Sequence, residues 1–158
     1  MKGIFIRSIW IILVILMLGC EKTGYMIIIS TNHFKYRDLQ QIGRILEDKG
    51  FKIGVWERKR DKPEYPDEVY TLFEKKVSDK PYHLVDVYLN YVKDISNDIA
   101  HDLRIDVSNV YKGITITELK DEIDKIGDLI YLELVDKIGK ENVVIERKEI
   151  HHRMIPFQ

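Results

Sequence analysis

The stretch that decides the fold is Tyr82-His-Leu-Val-Asp-Val-Tyr-Leu-Asn-Tyr-Val92, followed after Lys93–Asp98 by Ile99-Ala-His-Asp-Leu-Arg-Ile-Asp-Val107. In the first half Val85, Val87, Leu89 and Tyr91 share one side. In the second half Ile99, His101, Leu103, Ile105 and Val107 share one side, and Ala100, Asp102, Arg104, Asp106 and Ser108 share the other. Alternation with a period of two is the pattern of a strand that buries one face and wets the other. The polar Lys93–Asp98 between the two strands reads as a hairpin loop, so this part of the sheet is antiparallel.

Downstream, Thr115-Ile-Thr-Glu118 matches a capping box ahead of an apolar run at helical spacing. Ile116, Leu119, Ile123, Ile126, Ile130, Leu134 and Ile138 mark one face of a long helix, and Gly139 ends it. Burying such a face contributes on the order of 10–20 kcal/mol before conformational entropy is subtracted, so this helix is expected to be the main support of the sheet. Glu141–Ile150, with Val143, Val144 and Ile145, reads as a last strand, and His151–Gln158 as a flexible tail.

Upstream, Tyr25–Ile29 is a continuous apolar run that suits a strand buried on both faces. Ser30, Thr31 and Asn32 offer caps for a helix from about His33 to Lys49, with Leu39, Ile42, Ile45 and Leu46 inward and Gly50 as its stop. Phe51–Trp56 reads as a second strand. Strand, helix and strand with short links imply a βαβ unit with two parallel strands. Glu57–Asp67, charged and holding Pro63 and Pro66, reads as a loop. Asp67–Val77 reads two ways. Val69, Leu72, Phe73 and Val77 fit a helical face, the preferred reading, or a strand paired across Ser78–Pro81 with the strand that begins at Tyr82.

The expected class is therefore α+β (mixed α/β), in the order β-α-β-(α)-β-β-α-β, with a mixed sheet packed against two or three helices. In outline this order is similar to the small α/β domains of periplasmic assembly proteins, such as the amino-terminal domain of TolB or the CsgG-like lipoproteins. The likeness rests on the order of elements alone, and a fold does not fix a function.

The first twenty residues carry a different message. Lys2 and Arg7 precede an apolar run, Ile9–Leu18, that ends in Gly19-Cys20. Ten residues make a helix of about 15 Å, too short for a bilayer core that takes about 20 apolar residues, so the run reads as the core of a secretory signal. Met17-Leu18-Gly19-Cys20 resembles the cleavage site of a bacterial lipoprotein precursor, although Met17 departs from the usual Leu or Val. The resemblance implies a cut before Cys20, a diacylglyceryl group on its thiol and often an acyl group on its new amino terminus. Two or more chains hold a protein firmly, where a single one gives only marginal binding.

On this reading residues 1–19 are a cleaved signal, 20–24 a lipidated terminus and short polar tether, 25–150 a single domain and 151–158 the tail. The sequence has 158 residues, and cleavage would leave a chain of 139 with a net charge of −3. That is the length of one ordinary domain, and its charge gives no support to nucleic-acid binding. Cys20 is the only cysteine, so lipidation would leave no thiol for disulfides, nucleophilic catalysis or metal binding.

No phosphate-binding glycine loop, dinucleotide fingerprint, zinc-protease helix or serine-hydrolase elbow occurs in the chain. No cofactor and no metal is expected. His33, with Thr31 and Asn32, falls just beyond the carboxyl end of the first strand, where open α/β sheets bind ligands, and these three are the candidate ligand-binding residues. His151 and His152 read as a solvated pair, and His101 as a core-edge histidine. Asp102 and Asp106 read, with Arg104, as alternating charges that discourage edge pairing. Trp56, Tyr82, Tyr88 and Tyr91 could make an aromatic patch suited to an interface.

The function expected is that of a membrane-anchored periplasmic lipoprotein, a non-catalytic binding or assembly module of the cell envelope with an envelope protein as partner. The alternatives are a small-ligand binder or enzyme with its site near His33, and a structural spacer. Glu21 after the lipidated position favours the outer membrane, facing the periplasm. The inner membrane, or the surface of a single-membrane cell, is the alternative.

Overall fold

The computed structural model describes residues 21–59, 68–80, 83–94, 96–109 and 116–153. These residues form β1 (Glu21–Lys35), α1 (Tyr36–Asp48), β2 (Lys52–Lys59), β3 (Glu68–Lys76), β4 (Leu84–Asp94), β5 (Ile99–Ser108), α2 (Ile116–Ile138), a short 3-10 turn (Lys140–Asn142) and β6 (Val144–Arg153). The strands make one six-stranded sheet in the order β2-β3-β4-β5-β1-β6. The α+β class stands, with an all-antiparallel sheet.

Both helices cover the same face. Gln41 of α1 donates to Glu133 of α2 at 2.9 Å and accepts from Lys137 at 3.0 Å. Beneath them, Phe73, Val87, Val107 and Ile27 stand directly opposite one another in a row across β3, β4, β5 and β1, and all four are buried. Gly127 lets α2 come down onto the sheet, because a Cβ there would lie 2.5 Å from Ile27 Cδ1. Leu119, Ile123, Ile126, Ile130 and Leu134 of α2 are buried, as their spacing predicts.

Three expectations are corrected. The sheet is not mixed, because every paired neighbour is antiparallel. β1 and β2 do run the same way, but α1 carries the chain across the sheet, so β3, β4 and β5 lie between them. Asp67–Val77 contributes strand β3 rather than a helix. Val69, Thr71 and Phe73 alternate inward, all three are β-branched or aromatic, and β4 lies next in sequence to pair with them. The first helix starts at Tyr36, not His33, because Ser30, Thr31 and Asn32 continue β1 instead of capping a helix.

The cap of α1 comes from far away in sequence. Lys35 at the N-cap position makes no side-chain cap bond. Instead the Asp98 carbonyl accepts from Tyr36 N at 2.9 Å, and its carboxylate accepts from Arg37 N at 3.1 Å and Arg37 Nε at 2.5 Å. The other end is local and matches expectation. Gly50, at φ 87°, donates to the Glu47 carbonyl, and Phe51 N donates to the Leu46 carbonyl, which is the Schellman pattern with a buried phenylalanine behind it.

β5 is not a uniform strand. Leu103, Ile105 and Val107 face the helices, but Asp102 has φ 50° and the pairing with β4 slips between Asn90 and Val92. This bulge reverses the alternation beyond it, so Ala100 is buried where Ile99 and His101 were expected.

Residues 21–24 and 151–153, expected as tether and tail, lie in the β1–β6 ladder, with Glu21 opposite Arg153 and Gly24 opposite Ile150. Met26 is the first β1 residue paired to β5, so among the described residues β6 alone holds the start of β1.

Candidate functional site

Where β1 runs from Ser30 to Asn32 it passes the end of α2 and the start of β6. Ser30 stands opposite Val144, and the 3-10 turn lies between α2 and β6. Ser30, Thr31, Asn32, Ile138, Glu141, Asn142 and Val144 line an open cleft of about 460 Å³. That lies within the range of about 300–1,000 Å³ typical of small-molecule sites. Thr31 is only 6% exposed. Gly139 turns the chain out of α2 at φ 85°, and the Glu141 carboxylate folds back so closely that a Cβ on Gly139 would meet Glu141 Oε1 at 2.5 Å. Asn142 Nδ2 donates to the Ile138 carbonyl at 2.5 Å and reaches Glu141 Oε1 at 3.5 Å. The lining holds hydroxyls, amides, one carboxylate and two aliphatic side chains.

The second polar cluster is closed. Glu57 sits on edge strand β2 at φ 43°, where the pairing with β3 slips between Val55 and Arg58. Its carboxylate accepts from Lys93 Nζ at 2.6 Å, from Tyr91 Oη at 3.2 Å and from Tyr36 Oη. Lys93 Nζ also lies 4.2 Å from the centre of the Tyr36 ring. Burial pushes the Glu57 carboxyl up, but the hydrogen bonds from Lys93 and Tyr36 outweigh it and hold the group below its ordinary value. Burial likewise works against the Lys93 ammonium, and the bond to Glu57 more than offsets it, holding Lys93 above its ordinary value. Burial, then the Glu57 carboxylate, raises Tyr91 and Tyr36. The cavity beside the cluster, lined by Tyr36, Trp56, Thr71 and Tyr91 among others, measures about 10 Å³. That is roughly one water molecule. The cluster fastens an irregular edge strand to α1 and β4.

The third group lies on the sheet face away from the helices. Asp86 stands opposite Ser108, and Asn90 lies farther along the same face of β4. All three are buried, and Asp86 Oδ1, the Asn90 amide and Ser108 Oγ have no hydrogen-bond partner among the described residues. Burial, with help from the Glu74 carboxylate, pushes Asp86 up to about 6.

Of the residues singled out by sequence, Thr31 and Asn32 do line a cleft. The setting differs from the one expected, since the nearby helix end is the carboxyl end of α2 and not the amino end of α1. His33 lies in β1 opposite His101, one step beyond the residues that line the cleft. The Cys20 and Tyr82 readings fall outside the described residues, as does the Thr115 end of the capping box. Arg104 pairs with Asp106 at 2.8 Å, but these charges guard no edge, because β5 is paired on both sides, to β4 and to β1. The aromatic patch divides, with Trp56 and Tyr91 on the helix side and Tyr88 on the other face beside Tyr70. Glu57, Lys93, Glu141 and Asn142 were missed. Lys93 was legible, because it extends the inward series Val87, Leu89, Tyr91 by one step. Glu57 was not, since nothing local marks the slip in pairing that turns it inward.

Among the described residues no three or more His, Cys, Asp or Glu side chains gather as a metal site, and no helix is long and apolar enough to cross a membrane. No family model, curated protein or solved structure matches the chain.

Proposed function

We propose that the chain is a lipid-anchored binding or assembly module of the cell envelope, attached through Cys20 and non-catalytic. In this reading the anchor sits in the outer membrane, the domain faces the periplasm, and an envelope protein is its partner. The observation that carries the proposal is that β1 is already paired at Glu21, the residue after Cys20. An anchor there has no slack. It would hold the sheet at a set height and orientation, which serves a module that must meet a partner more than it serves a freely diffusing enzyme. The closed Glu57 cluster is consistent with this, because its polar groups are spent on one another. Cys20→Ala should abolish lipid labelling and leave an uncut precursor or a soluble form. A variant that labels, fractionates and migrates like the parent overturns the proposal.

The cleft favours a second reading, that of a small-ligand binder. Its size, and the presence of Thr31 and Asn32 in its wall, support that reading.

A further inference from the structure

We infer that the cleft between β1 and the end of α2 binds a primary ammonium group carried on an alkyl chain, the chemistry of a lysine side chain or of a free alkyl amine. This rests on the reading of the cleft as a binding site and is independent of the anchor.

Charge is the first argument. The carboxyl end of a helix carries a partial negative charge from its unshared carbonyls, and cations are favoured there. α2 has 23 residues and its end opens on the cleft through Ile138, whose carbonyl already accepts from Asn142 Nδ2, so the helix contributes its dipole there and Glu141 the full charge. Glu141 adds a full negative charge at the same place, where a like charge is unfavourable unless a cation offsets it. Its carboxylate meets only the Asn142 amide, at 3.5 Å, and pairs with no cation among the described residues. Lys137, the basic residue of the last turn, is turned toward Gln41 at 3.0 Å and Glu133 at 3.7 Å.

The second argument is the inventory of free acceptors. Thr31, nine-tenths buried and lining the cleft, makes no side-chain hydrogen bond to another described residue, while Ser30 and Asn32 alternate to the other face of β1. An ammonium has three donors and no acceptor, and it matches the Glu141 carboxylate and the Thr31 hydroxyl. An anion would meet the Glu141 carboxylate and the negative helix end instead. A divalent metal would need several convergent anionic oxygens, and only one carboxylate lines the wall.

The third argument is shape. Ile138 and Val144 also line the cleft, and Val144 is one of the few large apolar side chains left exposed. They offer a surface for methylene groups next to the acceptors, as a snorkelling lysine stem requires.

The test is an NMR titration of the folded domain with two probes and one control. The probes are 1,5-diaminopentane and lysine blocked as its acetyl methylamide, and the control is norleucine blocked in the same way. Saturable shifts confined to residues 30–32 and 138–144, weakened at least about tenfold by Glu141→Gln and by added salt, support the inference. Thr31→Val, which keeps the shape, should weaken binding less. Binding of 1,5-diaminopentane without the blocked lysine assigns the site to free amines, and binding of the blocked lysine assigns it to a lysine side chain. Equal binding of blocked norleucine, or no saturable shift with either amine, overturns it. Failure here would leave the anchored module standing, and failure of the Cys20 test would leave the cleft untouched.

Discussion

Asp86 and Glu57 are carboxylates on the sheet, one buried and one half-buried, and they act on stability in opposite directions. Glu57 is held below its ordinary value, so its contribution is present at neutral pH and is lost as pH falls through its folded value. Asp86 is 3% exposed and raised to about 6, chiefly by burial. Its contribution is fully present below the unfolded value of about 4 and declines as pH rises to about 6, above which the folded state carries a constant penalty of about 2–3 kcal/mol. Asp86→Asn keeps the shape and removes the charge. Urea unfolding at pH 7.5 should show the variant more stable by about 1–3 kcal/mol, and the advantage should vanish near pH 4. An unchanged midpoint at pH 7.5 would mean that the carboxylate is hydrated in the folded protein. Proteins keep costly groups of this kind at places with another use.

At the scale of elements, the distinction between local and remote signals decides what the sequence could show. The end of α1 was legible because Gly50 and Phe51 carry the whole C-terminal motif within one turn. The start was not, because its cap is Asp98, supplied by the β4–β5 hairpin. Asp98→Ala should therefore loosen a helix that lies 60 residues upstream. The expected loss is about 1 kcal/mol, read as faster amide exchange at residues 36–39 with β5 unaffected. Exchange that stays uniform would show that the Asp98 carbonyl alone suffices. β3 illustrates the same limit in another form. Val69, Leu72, Phe73 and Val77 satisfy a helical period as well as Val69, Thr71 and Phe73 satisfy a strand period, and only the presence of β4 as a partner settles it. Thr31 and Asn32 were found by a rule about strand ends, yet the helix end beside them belongs to α2, which no local pattern near residue 31 could show.

Over the whole molecule, the class and most of the inward-facing residues followed from periodicity, while strand order did not. Periodicity reports which face of an element is buried, and it is silent on which strand becomes whose neighbour. The continuous run Tyr25–Ile29 reads as a strand buried on both faces, and Ile27, Ile28 and Ile29 are buried, with β5 and β6 on either side of β1. What the run could not say is that both neighbours are antiparallel and distant in sequence. A pulse-labelling refolding experiment should find the amides of Ile27, Ile28 and Ile29 protected only in the last phase, after the β3–β4 and β4–β5 hairpins. Protection of β1 ahead of those hairpins would contradict this. The ladder from Glu21 to Ser30 also sets a dimension. At about 3.3 Å per residue, the cleft lies about 30 Å from the residue next to the proposed anchor.

If the chain is exported, as we propose, it crosses a membrane amino end first, and β1 reaches the far side alone. Here that strand finds one neighbour only when residues 99–108 have followed it, and the other only when 144–153 have. Until then β1 lacks one or both of its neighbours and the sheet is incomplete. The same arrangement that makes the folded sheet continuous keeps the nascent chain open, which is the state a translocation channel demands.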